Sequence, residues 1–308
     1  MRSKSGVMNP VPVEANGSTS SAVGKAECTP LKGWGRKEEG KMHPIVTDFS
    51  RDALARANEE NLCEVYRLLG QSPRIQLEEA ADIFRVESSV PHSMLNRVLV
   101  ACIPEHEGHD RITGTIEYYR ARGIPWVWEV GPGTRSEGFV DRLEACGLTC
   151  RGGMAGMAMD LSLLPDQQDS APSLMIQEVM DDHALDRWAE VCTNGFNMPR
   201  EVLDVMAEAI LPGGFGEQAS IRCFLAYQNE IPVACSALSL GAGVAGIYSV
   251  TTLPVARKQG IGAVVTAHPL YIARDLGYRV GILQASSMGF PVYQRLGFEE
   301  CCSFALYA

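Results

Sequence analysis

Apolar positions along the chain change period several times, and each change marks an element. After Ser50, a capping residue type, the positions Leu54, Ala57, Leu62, Val65, Leu68 and Leu69 form an apolar stripe at helical spacing. Residues 81–86 and 95–101 then read as strands, 111–122 as a helix, 126–130 as a strand, 138–146 as a helix and 154–160 as a short strand. Pro165, Asp166, Gln167, Gln168, Asp169 and Pro172 make 161–173 a linker by composition. Beyond it come a strand at 174–180, a helix capped by Asp181 or Asp182 and running to about Cys192, and a second helix over 199–210. The glycine-rich stretch 211–216 reads as a flexible loop. Strands at 221–227 and 231–240 are joined tightly through Asn229-Glu230, and Gly241-Ala242-Gly243 turns into the strand 246–253.

The two halves repeat one another. Tyr118-Tyr119-Arg120-Ala121-Arg122-Gly123, the strand 126–130 and Leu143-Glu144-Ala145-Cys146-Gly147-Leu148 parallel residues 271–277, the strand 280–285 and Tyr293-Gln294-Arg295-Leu296-Gly297-Phe298. Both read helix, strand, helix, glycine, strand, so a divergent duplication is the economical explanation. The expected organisation is a tail at 1–44 without periodicity, a first domain at 45–160, the linker 161–173 and a second domain at 174–308. Met42 directly precedes the first patterned segment and is a candidate natural start.

Chemistry concentrates in Arg257-Lys258-Gln259-Gly260-Ile261-Gly262. This basic, glycine-punctuated loop follows a β-branched run that stops at Pro254, and it opens a helical pattern through Val264, Val265, His268, Ile272 and Leu276 to Gly277. Backbone N–H groups at such a helix start lack intrahelical partners and sit at the positive end of the helix dipole, while glycines permit close approach. The arrangement suits phosphate, and Arg257 and Lys258 would add charge-assisted bonds. Pro269 interrupts the same helix, removes a hydrogen bond to the Val265 carbonyl and is expected to kink it.

The Arg257-x-x-Gly260-x-Gly262 spacing resembles the signature of the GNAT superfamily of acyl-CoA N-acyltransferases, and its flanks fall in that family's order. They are the strand ending at Leu253-Pro254, the strand 280–286, and Tyr293 to Phe298. The resemblance implies an α/β (α+β) fold of two GNAT-like domains, each a mixed, mostly antiparallel sheet flanked by helices, the first a degenerate copy and the second catalytic. It implies acetyl-CoA as co-substrate and no metal. Backbone groups from Arg257, Lys258, Gln259, Gly260, Ile261, Gly262 and Ala263 would hold the pyrophosphate, and Val250, Thr252 and Leu253 would line the pantetheine arm. Ser286 stands where the family often has an asparagine and would hydrogen-bond that arm. Tyr293 would protonate the departing thiolate, the other reading of this residue being a core aromatic beside Leu296 and Phe298. In the first copy Arg111-x-x-Gly114-x-Ile116 puts a bulky residue where the motif needs a small one, so a single working site is expected.

Composition narrows the function without changing this picture. Residues 1–44 hold seven Lys/Arg against four Asp/Glu, leaving 20 against 33 and a net charge of −13 for the remainder. Such a field attracts cationic acceptors such as amines and disfavours a nucleic-acid face. The expected partner is a small-molecule or peptide amine, with no nucleic acid and no membrane, for a monomer or homodimer in the cytoplasm. Ten cysteines without CxxC pairs suit a reducing compartment rather than a disulfide framework. Gly241-x-Gly243-x-x-Gly246 is followed by a strand, not a helix, and reads as a hairpin rather than a dinucleotide fingerprint. His106-x-x-His109, among Glu105, Glu107 and Asp110, lacks zinc-protease spacing and reads as a solvated turn. Glu129, Glu178, Asp181 and Asp182 are carboxylates without a context that marks a general base. The aromatic strand Trp126-Val127-Trp128 suggests that the first half walls the acceptor pocket.

Overall fold

The computed structural model describes residues 43–104, 108–134, 138–165 and 174–308. Ser50 caps the first helix, its hydroxyl accepting from the Ala53 N–H at 3.4 Å, and α1 runs Arg51–Leu69. The strands β1 Ile75–Glu79, β2 Ile83–Ser88 and β3 Arg97–Ala101 follow, β1 being the one of these that the pattern misses. Next come α2 Gly108–Arg122, β4 Val127–Val130, α3 Phe139–Ala145 and β5 Cys150–Asp160. The second half contains β6 Leu174–Glu178, α4 Asp182–Phe196, α5 Arg200–Ile210, β7 Ile221–Gln228, β8 Ile231–Gly241 and β9 Val244–Thr252. It closes with α6 Ile261–Asp275, β10 Val280–Ala285, α7 Phe290–Leu296 and β11 Glu299–Tyr307. Asp181 caps α4, accepting from the Ala184 N–H at 2.7 Å.

The turn chemistry agrees with the sequence. Asn229 and Glu230 have φ of 50° and 65°, Ala242 and Gly243 of 50° and 72°, the left-handed pairs that close two-residue hairpins. Gly241-x-Gly243-x-x-Gly246 is therefore a hairpin between β8 and β9. The loop at 211–216 is built largely of short 3-10 turns, at Leu211–Gly213 and Gly216–Gln218. The Arg111–Ile116 spacing lies inside α2 rather than ahead of it, and Arg111 pairs with Glu78 and Asp82, so it is not the structural counterpart of the second-half loop. The tail, the proposed start at Met42, His106 and most of the linker lie outside the described residues; His109 is exposed in the first turn of α2. Among the described residues eight cysteines are free thiols, and Cys102 is disulfide-bonded, which the cysteine spacing does not foretell.

All eleven strands form one sheet, in the order β1-β2-β3-β4-β11-β5-β10-β9-β8-β7-β6. Two pairs are parallel, β3 with β4 and β9 with β10, and the rest are antiparallel. The repeat is visible as an exchange. The strand after α3, β5, pairs with β10 of the second half, and the strand after α7, β11, pairs with β4 of the first. Equivalent helix ends carry equivalent bonds: Leu148 N–H to Leu143 O at 3.1 Å and Phe298 N–H to Tyr293 O at 3.0 Å, beside Gly147 (φ 83°) and Gly297 (φ 100°).

Side chains alternate across the sheet, so neighbouring residues serve different cores. On one face α1, α4 and α5 share a core that takes Phe84, Val86 and Leu99 from the first half and Cys223, Leu225 and Ala237 from the second. On the other, α2 and α3 cover Ile83, Val98 and Trp128, while α6 and α7 cover Phe224, Leu238, Ile247 and Leu283 separately. The aromatic strand belongs to the first half's own packing: Trp128 is fully buried against Phe139, and Trp126 stacks on Tyr119 at 4.6 Å. Its rings are thus committed there, contrary to the expectation that they wall an acceptor pocket.

Candidate functional site

Parallel strands β9 and β10 are in register at only two positions, Ala245 with Gly281 and Gly246 with Ile282. Beyond Gly246 the edge of β9 that faced β10 has no strand partner, although β9 continues to Thr252. Within that stretch the β8 pairing skips from Ala237↔Tyr248 to Cys235↔Thr251, a bulge in which Ser249 adopts φ 51°. Bulges re-aim backbone groups and recur beside active sites. Ser249 O accepts from the Cys235 thiol at 3.4 Å. Nothing in the β-branched run around Ser249 foretells this bulge.

The opened edge leads to the glycine loop. After Leu253, whose N–H donates to Val233 O at 2.8 Å, Pro254–Ala256 makes a 3-10 turn, and Gly260 at φ 78° starts α6. Lys258 also has positive φ, 64°. Helical bonding begins with the Ala263 and Val264 N–H groups, both turned to Gly260 O at 3.0 and 3.3 Å. Among the described residues the N–H groups of residues 258–262 donate to no carbonyl or side chain. A Cβ on Gly260 would meet nothing within 4 Å, and one on Gly262 only the Thr252 hydroxyl at 3.6 Å, so the space above both glycines is open. The donors, the dipole and the space together fit a phosphate or pyrophosphate.

The expected residues therefore sit together, with differences. Lys258, Gln259 and Gly260 are exposed, Gly262 and Ala263 partly so, and Ile261 is buried beneath the loop. Val250 packs against Ile261 and Val265, and Leu253 enters the α1-side core. The Arg257 guanidinium departs from its expected place: Nε donates to Thr252 O at 2.9 Å and Nη2 to Gly195 O at 3.2 Å. The Ser286 hydroxyl closes the turn ahead of α7, accepting from the Gly289 N–H at 3.2 Å, and keeps its own proton to donate.

Tyr293, on α7, is buried with Leu283 and Ala285 of β10 and Ala245 and Ile247 of β9, the strands that flank the opening. Its hydroxyl donates to nothing among the described residues, and burial pushes its pKa up to about 12. The phenol is therefore held as a proton donor at neutral pH. Three of the four carboxylates are committed elsewhere: Glu178 to Arg222 through both oxygens at 2.7 and 2.6 Å, Glu129 to Arg97 at 2.8 Å, and Asp181 to its helix cap; Asp182 is exposed in the first turn of α4.

In the first half the matching parallel pair is in register at Arg97↔Val127 and Val98↔Trp128. There the Ala101 N–H, at the end of β3, meets the Thr134 hydroxyl at 3.4 Å. One backbone donor on that edge is thus met by the chain itself.

The fold is like that of solved GCN5-related N-acetyltransferases. Among solved structures, the chain is similar to a GCN5-related N-acetyltransferase from Kribbella flavida, with TM-score 0.60 and 17% identity over 80% of this chain and 94% of that one. It is also similar to one from Sphaerobacter thermophilus, with TM-score 0.54 and 16% identity over 86% and 93% of the two chains. A tandem GNAT protein from the clavulanic acid biosynthesis pathway matches with TM-score 0.54 and 14% identity over 91% of each chain. At the level of sequence no protein-family model and no curated protein matches.

Proposed function

We propose that the protein is an N-acetyltransferase that moves an acetyl group from acetyl-CoA to a primary amine of a small molecule or peptide. The observation that carries this reading is the run of partnerless N–H groups at residues 258–262, open above two glycines, at the end of a strand whose edge is free. Those donors suit the pyrophosphate of coenzyme A, and the free edge of β9 suits an extended pantetheine arm pairing like a strand. Acetyl-CoA supplies the activated acyl group. Around it the chain orients the amine against the thioester, β9 N–H groups at the bulge polarise the carbonyl, and Tyr293 gives its proton to the leaving sulfur. The acidic remainder of the chain favours a cationic acceptor. The shared fold supports the reaction class, and the placing of Arg111 inside α2, paired with Glu78 and Asp82, supports one site per chain.

The test is calorimetric titration with coenzyme A, followed by thiol release from acetyl-CoA across a panel of polyamines, amino acids, aminoglycosides and peptide N-termini. Binding with amine-dependent thiol release supports the enzyme. Binding with none, across the panel, would make the protein an acyl-CoA sensor, and absence of binding would overturn the reading.

A further inference from the structure

The residue that begins the loop motif, Arg257, is placed to do something other than hold phosphate. Its two donors reach backward: Nε to Thr252 O, the last residue of β9, and Nη2 to Gly195 O, near the end of α4. Those two elements are already pressed together, since a Cβ on Gly195 would overlap the Thr251 side chain. Just past Gly195, Asn197 in the left-handed region (φ 53°) ends α4, and the Met198 N–H returns to Thr193 O at 3.2 Å, so the turn into α5 begins where Arg257 grips. Phe196, Met198, Tyr248 and Leu253 all pack against the core on that face of the sheet.

We propose that Arg257 is a positioning residue, a strut that ties the glycine loop to the end of β9 and to the α4–α5 turn. A planar guanidinium bridges two carbonyls on different elements in a way that a lysine ammonium or a shorter amide does not. The strut fixes the loop that presents the N–H groups of residues 258–262 and, through Gly195, fixes the turn on the opposite side of β9. Its effect on cofactor rests on the reading that this loop holds coenzyme A; its effect on the turn does not.

A strut and a phosphate ligand separate cleanly by salt. An arginine on a phosphate contributes an ionic term that salt screens, whereas bonds to carbonyls in the same protein do not. The experiment compares the full chain with Arg257→Ala and Arg257→Gln in two measurements: hydrogen exchange of the ligand-free proteins, and the Kd for coenzyme A at 20 mM and 500 mM salt, about a fivefold change in screening length. The strut predicts exchange at residues 193–198 and 252–260 faster in Arg257→Ala by roughly threefold or more, and a Kd weakened by a similar factor at both salt concentrations. Unchanged exchange at 193–198, or a Kd penalty that is large at low salt and vanishes at high salt, would overturn it. If the unmodified protein fails to bind coenzyme A, the functional reading falls while the exchange measurement still decides on the strut.

Discussion

Tyr293 and Gly260 carry opposite kinds of burden. The Tyr293 ring is packed by both strands of the opening, while its hydroxyl serves nothing in the protein. Tyr293→Phe keeps the packing, so thiol-release kinetics should show kcat lowered at least about tenfold with KM for acetyl-CoA nearly unchanged. Gly260 meets no neighbours but has φ 78°, a conformation that costs a residue with a Cβ about 1–2 kcal/mol. Gly260→Ala should therefore lower the urea midpoint modestly, and a larger side chain there should abolish coenzyme A binding by blocking approach to the N–H groups of the loop.

Burial also sets an alkaline limit. Tyr66 and Tyr293 have native pKa values pushed up to about 12, against about 10 when unfolded. Stability held by the neutral phenols is complete below pH 10 and is lost as pH rises through 12, on the order of 3 kcal/mol per ring. Urea unfolding followed from pH 8 to 11.5 should weaken from about pH 10 upward. At this scale the glycine loop was legible because positive φ and missing N–H partners are written into residue types. The targets of Arg257 and Ser286 were not, since each side chain bonds to backbone that its own sequence neighbourhood does not reveal.

Among the elements, α6 answers its own defect. Pro269 removes the donor for Val265 O, and the buried Ser236 hydroxyl on β8 supplies one at 2.8 Å. Ser236→Ala should orphan that carbonyl and cost about 1–3 kcal/mol in chemical denaturation. Pro269→Ala restores an N–H, so the double variant should recover part of the loss, a coupling that a double-mutant cycle reads directly. Sequence pointed to the missing bond but not to its replacement, which arrives from a strand thirty residues away.

The α1 helix shows the same limit more strongly. Its apolar stripe was readable, yet Asn58 and Asn61 are fully buried on the sheet. Asn58 Nδ2 donates to Met157 O and Leu283 O at 3.1 and 3.3 Å, and Asn61 Nδ2 to Gly241 O at 2.8 Å while its Oδ1 accepts from the Tyr248 hydroxyl at 2.7 Å. Gly246 makes room for Asn61, because a Cβ there would overlap Oδ1. Buried asparagines read as surface in a pattern of polar and apolar letters; only the facing carbonyls and glycine explain them.

For the molecule as a whole, the exchange of β5 and β11 and the core shared under α1 join the halves. Arg74 and Ser72 of the first half add bonds to Glu208 of α5, with Ser72 Oγ to Oε2 at 2.7 Å. Calorimetry should show one cooperative unfolding transition rather than two. Chains ending at residue 165 or beginning at 174 should fail to fold alone, each lacking a strand its own sheet requires, and should regain helical circular dichroism when mixed. The internal repeat was legible because helix, strand and glycine recur in the same order. The exchange was not, because two strands in equivalent positions carry no mark of which neighbour each will choose.

That crossing has a hereditary meaning. A duplicated gene whose products merely stand side by side can shed one copy, shuffle it or fuse it elsewhere. Once each copy completes the other's sheet, deletion of either leaves a raw edge and a missing strand, so neither half can be shed without unravelling its sibling.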